Sequence, residues 1–288
     1  MTPVMKPIAD IRLLACDLDG TMFPPGPDPT HAAALDGFRR LLSRSAGLRL
    51  VYVTGRHLAS ALEAATRWSL PRPHLLSCDV GTAVHLPDDA APDRWRRDET
   101  YAARLRRDMG GLGNRDVLDL LADVPGLAPQ APERQAEFKT SFTLPSGTAG
   151  DEAMSGVRSR LAAAGAHASL VRSAGVYEES DLLDVLPPGA TKSSAVAHMA
   201  RLLEAPAERI LYAGDSGNDL DPLLDAAGGI VVANARPELL AALRPHLDDA
   251  APRRAIYLAD RPHLHGVLEG CLHFGLGPDG SATGKGDG

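Results

Sequence analysis

Residues 11–21, IRLLACDLDGT, run from an unbroken apolar strand into two carboxylates, Asp17 and Asp19, and then a glycine. A strand with no polar alternation is buried on both faces, the mark of a parallel sheet covered by helices on either side. In open sheets of that kind ligands bind just beyond the carboxyl ends of the strands, and both acids fall there. Taken alone, the Asp-Gly pair reads equally well as a tight turn.

Three more polar clusters take the same kind of position. LRLVYVTGR is a buried strand ending in Thr54, Gly55 and Arg56; Thr191-Lys192 opens an amphipathic helix; and RILYAGDSGND ends in Asp215, Asn218 and Asp219. Helical spacing is expected from Thr30 to about Ser45, over 57–68, to Leu203, near 220–227, from Pro237, and over 264–274. The texture changes between about 88 and 187. There a Pro-, Arg- and Asp-rich stretch leads into a helix at 115–122, a half-exposed strand FKTSFTL, a helix at 151–164, and the strands HASLVR and LLDVLP. The pattern predicts an α/β core with a parallel sheet, formed by 1–87 and 188–276 and interrupted by an inserted α+β domain at 88–187. A Gly- and Ser-rich tail, 277–288, is expected to be disordered.

Bulk properties narrow the function. With 288 residues, 44% hydrophobic and 23% charged, the chain has the material for two globular domains. A net charge of -7 argues against a nucleic-acid partner, though a local site on an acidic protein can still be positive. Cys16, Cys78 and Cys271 show no CxxC spacing and read as reduced buried thiols. The ten histidines include no paired metal spacing, and Arg94–Arg97 reads as a solvated face of the insertion. No signal-peptide order and no apolar run of about 18 residues is found. A cytoplasmic protein with no membrane partner, a monomer or small homo-oligomer, is the expectation.

The four clusters share one chemistry. Asp17, Asp19 and Asp215, brought together, repel unless a cation sits among them, and all-oxygen ligands suit Mg²⁺. One carboxylate is then placed to attack phosphorus, and a second to protonate the leaving oxygen and later activate water. Thr54, Lys192 and Asn218 supply donors for the phosphoryl oxygens.

DLDGT, VTGR, TKSS and GDSGND, in that order, resemble the four motifs of the haloacid dehalogenase (HAD) superfamily of phosphotransferases. The resemblance implies a Rossmann-like core in which Asp17 is the nucleophile, Asp19 the general acid/base, and Thr54 and Lys192 phosphate ligands. It further implies Mg²⁺ held by Asp17, Asp215 and the Asp19 backbone carbonyl, with Asp219 ordering the metal site. The insertion between VTGR and TK resembles a C2-type cap. GDSGNDLDPLLDAAGGIVVANARPELL, VGT at 80–82, Gln135-x-x-Phe138-Lys139 and GVLEGCLHFGL resemble the sucrose-phosphate phosphatase group, which includes mannosylfructose-phosphate phosphatase. From that group Gln135 and Lys139 are expected to meet sugar hydroxyls and Asp184 to line the sugar site. Arg56 is expected to bridge phosphate and sugar, with Gly55 beside it and His57 at the mouth. One departure stands out: the group shows D-x-D-[LI]-L-P before the third motif, and Leu182 replaces the first acid, with Asp181 and Glu179 nearby. Sucrose 6-phosphate or a related disaccharide phosphate is the expected substrate. Phosphatases of other sugar phosphates and phosphosugar mutases use the same motifs.

Overall fold

A computed structural model describes residues 10–88, 90–91, 93–174, 180–247 and 255–277. Glu179 and residues 278–288 of the expected tail lie outside the described residues. The chain begins with β1 (Leu13–Cys16), α1 (His31–Arg44), β2 (Arg49–Val53), α2 (Leu58–Arg67), β3 (Leu75–Cys78), β4 (Ala83–Pro87), β5 (Trp95–Arg97) and α3 (Glu99–Asp108). Then come α4 (Asn114–Leu121), β6 (Ala128–Pro129), β7 (Thr140–Pro145), α5 (Gly147–Ala163), β8 (Ser169–Ala174) and β9 (Ser180–Leu186). The last part comprises α6 (Lys192–Leu202), β10 (Ile210–Gly214), α7 (Leu220–Asp225), β11 (Gly228–Val231), α8 (Pro237–Leu247), β12 (Ala255–Leu258) and α9 (His263–His273).

Among the described residues the main sheet has eight strands in the order β12-β11-β10-β1-β2-β3-β4-β5. The six from β12 to β3 are parallel, and β4 and β5 add antiparallel at one edge. The apolar strands alternate between two layers, as a doubly covered sheet requires. Leu14 and Cys16 pack with Phe38 of α1, Ala61 of α2 and Val267 of α9. Leu13 and Ala15 pack with Tyr101 of α3, Met199 of α6, Leu223 of α7 and Leu239 of α8. All three cysteines are buried and free, which burial in apolar layers accounts for.

The second sheet, β6-β7-β9-β8, is antiparallel and carries α4 and α5 on one face. Phe142, Leu144, Leu183 and Val185 from the sheet bury against Val117, Leu121 and Val157 from the helices. The interrupted α/β pattern therefore folds as an α/β core sheet plus a smaller α+β layer. The segment after residue 88 divides between them. Trp95–Arg97 pairs with β4 in the main sheet, and Tyr101, Ala102 and Leu105 of α3 pack in the core. The arginine cluster read as an insertion face thus lies on an edge strand of the core. Tyr101 tightens this attachment by donating its hydroxyl to the Gly81 carbonyl at 2.7 Å.

Candidate active site

β1 lies between β10 and β2, where the connections leave in opposite directions, and this is the point at which an open α/β sheet leaves a crevice. Asp17 follows β1, Thr54 follows β2 and Asp215 follows β10. Lys192 opens α6, whose N-cap Thr191 accepts from the Ser194 amide. A cleft of about 710 Å³ stands over these strand ends, lined by Asp17, Asp19, Gly55, Arg56, Lys192 and Asp215 from the core and by Lys139 from the second layer.

At its floor, Lys192 Nζ donates to Asp17 Oδ1 at 2.6 Å and to Asp219 Oδ1 at 2.7 Å. All three side chains are buried. Asp17, Asp215 and Asp219 each offer an oxygen within 4.8 Å of the others. Three carboxylates face one ammonium, so negative charge is in surplus. Burial pushes the Asp17 carboxyl well above the ordinary carboxylate range, Lys192 pulling against it while Asp219 adds to it. Burial likewise raises Asp215, reinforced by Asp219. For Lys192, burial alone favours the neutral amine, but Asp17 and Asp219 outweigh it and hold the ammonium charged.

The three acids differ in what they have left to give. Asp219 Oδ1 accepts from Lys192 and from Tyr212 at 2.6 Å, and Oδ2 accepts from the Asp215 amide, the Ser216 amide and the Ser216 hydroxyl. Its lone pairs are committed to ordering the loop and the lysine. Among the described residues Asp215 spends only Oδ1, on the Thr21 hydroxyl at 3.0 Å, and Asp17 only Oδ1, on Lys192. An uncommitted oxygen on each, in an all-oxygen setting with excess negative charge, fits a hard divalent cation such as Mg²⁺. Gly20 lies against this pair with φ +80, and a Cβ there would fall 2.5 Å from Asp215 Oδ2, so only glycine closes the turn.

Asp19 points elsewhere. Its carboxylate receives Arg56 Nε at 2.7 Å and NH2 at 2.6 Å, while Arg56 NH1 donates to Ser60 at 2.8 Å. The Thr54 hydroxyl accepts from the Arg56 amide at 3.2 Å, leaving its own hydrogen to donate. Asn218 lines the cleft, its amide oxygen sharing the Ser216 hydroxyl with Asp219 Oδ2, and among the described residues its NH2 has no partner.

The sugar-side expectations divide. Lys139 lines the cleft, as do Glu133 and Arg134. Its backbone is carried into place because Phe138 buries against the core beside α3 and Glu137 pairs with Arg97 and Arg106. Gln135, expected at the sugar, is absent from the lining. Its amide nitrogen donates to the carbonyls of Gln130 and Ser141, and its oxygen accepts from the Ser141 amide and from Asn114. With both ends committed, Gln135 shapes the loop that holds Lys139. Asp184 also stands back from the lining, accepting from the Ser141 hydroxyl at 2.5 Å. Asp181 does not replace the acid absent at Leu182, because it is paired with Arg172 at 2.6 Å and bonded by Ser146. Sequence reasoning missed Asp79, Ser216 and Arg236, which line the cleft too. Arg236 lies in the quoted fourth-motif stretch and its amide bonds the Asp215 carbonyl, so the stretch carried a signal for it.

The family model for sucrose-6F-phosphate phosphohydrolase matches residues 11–275. A HAD-like hydrolase of Nitrosococcus oceani is 32% identical over 268 residues, 91% of this chain and 71% of the relative. Mannosylfructose-phosphate phosphatase of Agrobacterium fabrum is 29% identical over 275 residues, 95% of this chain and 100% of the relative. The solved sucrose-phosphatase of Synechocystis sp. PCC6803, in complex with sucrose and phosphate, superposes with a TM-score of 0.69 at 27% identity. That superposition covers 91% of this chain and 97% of the other.

Proposed function

The chain belongs to the sucrose-6F-phosphate phosphohydrolase family of HAD phosphatases, and from that membership we propose a Mg²⁺-dependent phosphomonoesterase that releases phosphate from a phosphorylated sugar. The observation that carries the reading is the buried Asp17–Lys192–Asp219 set opening into a cleft that Asp19 and Arg56 share. Asp17 attacks phosphorus, forming the Asp17 O–P bond as the bond to the sugar oxygen breaks. Asp19 gives that oxygen its proton. Water then attacks the phospho-aspartate, losing a proton to Asp19 as the Asp17 O–P bond breaks. Thr54, Lys192 and Asn218 donate to the phosphoryl oxygens, where fixed donors contribute most to catalysis. Asp17 and Asp215 would hold the metal together with the Asp19 backbone carbonyl, and the ion supplies charge neutralisation for the incoming phosphate.

Sucrose 6-phosphate and mannosylfructose 6-phosphate are the first substrates to try. A second reading, in which the same chemistry serves another sugar phosphate, draws on Leu182, the committed Asp181 and the inward-turned Gln135. Phosphate release with Mg²⁺ from a panel of sugar phosphates, compared by kcat/KM, separates the two. Sugar phosphates hydrolysed well by the wild type and not by Asp17→Asn are the expected result. An Asp17→Asn enzyme of full activity would overturn the assignment.

A further inference from the structure

One wall of the cleft carries charged groups that the phosphoryl chemistry leaves unused. Asp79 follows β3 with φ +52, and Val80 and Gly81 continue at +59 and +92. A β-branched residue in the left-handed region is strained and persists only where its surroundings hold it. The holding contacts are specific. The Asp79 amide donates to the Arg56 carbonyl at 3.0 Å and the Val80 amide to the Thr54 carbonyl at 3.1 Å. A Cβ on Gly81 would fall 2.3 Å from the Thr191 carbonyl oxygen. The turn is thereby wedged between the two segments that carry Thr54 and Lys192, and it presents the Asp79 side chain to the cleft.

The half-buried Asp79 carboxylate receives no hydrogen bond from any described residue. Lys139 lines the same cleft from the second layer, and among the described residues its ammonium has neither a hydrogen bond nor an ion pair. His57 spends Nδ1 on the Ser60 amide and keeps Nε2 free of any described partner. Burial pushes Asp79 up to about 6, with Lys139 and His57 pulling it down and Asp184 adding to the rise. Acceptors and donors left open on a partly desolvated wall match a ligand that offers both, which a row of hydroxyls does.

We propose that Asp79 is a specificity-determining residue that accepts hydrogen bonds from hydroxyls of the leaving group, opposite Lys139, which donates to them. The assignment rests on the sugar-phosphatase reading. It places one jaw of the sugar clamp on the core, at the rim of the phosphate site, and the other on the inserted layer.

Asp79→Asn is the decisive variant, because asparagine tolerates the left-handed backbone and conserves volume. The measurement is kcat/KM for the best sugar phosphate divided by kcat/KM for p-nitrophenyl phosphate, whose leaving group has no such row of hydroxyls. The ratio is expected to fall about 10–100-fold in Asp79→Asn, mostly through KM for the sugar phosphate. Lys139→Met should lower it too, and the double variant should lose less than the product of the two. An unchanged ratio in Asp79→Asn, or an equal loss on both substrates, would overturn the assignment while leaving the sugar reading intact. A wild type with no preference for sugar phosphates would remove that reading and the assignment with it.

Discussion

Arg56 engages both carboxylate oxygens of Asp19, through Nε at 2.7 Å and NH2 at 2.6 Å, while Ser60 anchors the third guanidinium nitrogen. The acid assigned to proton transfer is thus engaged as an acceptor at both oxygens. On the proposed mechanism a phosphate entering the cleft would offer Arg56 an alternative anion, and opening of the pair would free Asp19 for the leaving oxygen.

Arg56→Lys keeps the charge and loses the fork that makes a bidentate pair. Its kcat/KM for sugar phosphates is expected to fall about 10–100-fold, a loss of the size of one or two charge-assisted hydrogen bonds. Steady-state kinetics from pH 5 to 9 check it, and wild-type values throughout would show that the grip on Asp19 is incidental.

Asp17→Asn removes the nucleophile and is expected to lower kcat by about 10⁴-fold or more, the scale set by loss of a covalent catalyst. Mass spectrometry of enzyme quenched in acid during turnover checks the same point. Phosphate should be found on the peptide carrying Asp17 in the wild type and be missing from the variant.

Mg²⁺ is expected to raise stability as well as support activity, by about 3 kcal/mol at a hundredfold excess over its Kd. Denaturant unfolding with and without a chelator measures this. Asp215→Asn, which removes one of the two carboxylates that keep an uncommitted oxygen, should abolish most of the increment.

Lys192→Met leaves Asp17 and Asp219 buried without their shared cation. Removing one partner of a buried ion pair costs about 3–5 kcal/mol, and equilibrium unfolding in the presence of a chelator should show a loss of that order.

Asp79→Asn should stabilise the protein above neutrality. The folded state raises the Asp79 carboxyl from 3.8 to about 6, so the native protein holds this proton more tightly than the unfolded chain. Wild-type stability from this group is therefore full below pH about 4 and declines as pH rises through 6. The variant escapes that decline, gaining about 1–3 kcal/mol at pH 8 and nothing at pH 4. A gain independent of pH would contradict the sign.

Much of this was legible in the sequence because buried parallel strands end abruptly in polar residues. Asp17, Thr54 and Asp215 each follow an apolar run directly. Elsewhere the signal was weak. β5 is three residues long, carries Arg96 and Arg97, and joins the core by pairing with β4, so composition assigned it to the insertion. Gln135 sits in a motif that pointed to sugar, but whether a side-chain amide faces a ligand or its own loop depends on Gln130, Ser141 and Asn114 folding around it. Asp79 was hidden for a different reason. Nothing local announces that Asp79-Val80 turns left-handed, since the contacts that force it come from residues 54–56 and 191.

The wedge formed by Val80 and Gly81 against Thr54 and Thr191 also bears on how such an enzyme changes its substrate. Every group assigned to gripping phosphate comes from before residue 57 or after residue 190, in one frame fastened by backbone contacts. The stretch between 109 and 186 is free of that duty. A lineage can rewrite it, or borrow another, and keep the chemistry running through each intermediate. Asp79 is the exception, a residue assigned to the sugar but rooted in the frame. Dispensing with it requires a replacement that accepts the same backbone twist, which narrows the routes out of one sugar preference far more than any change at Lys139 does.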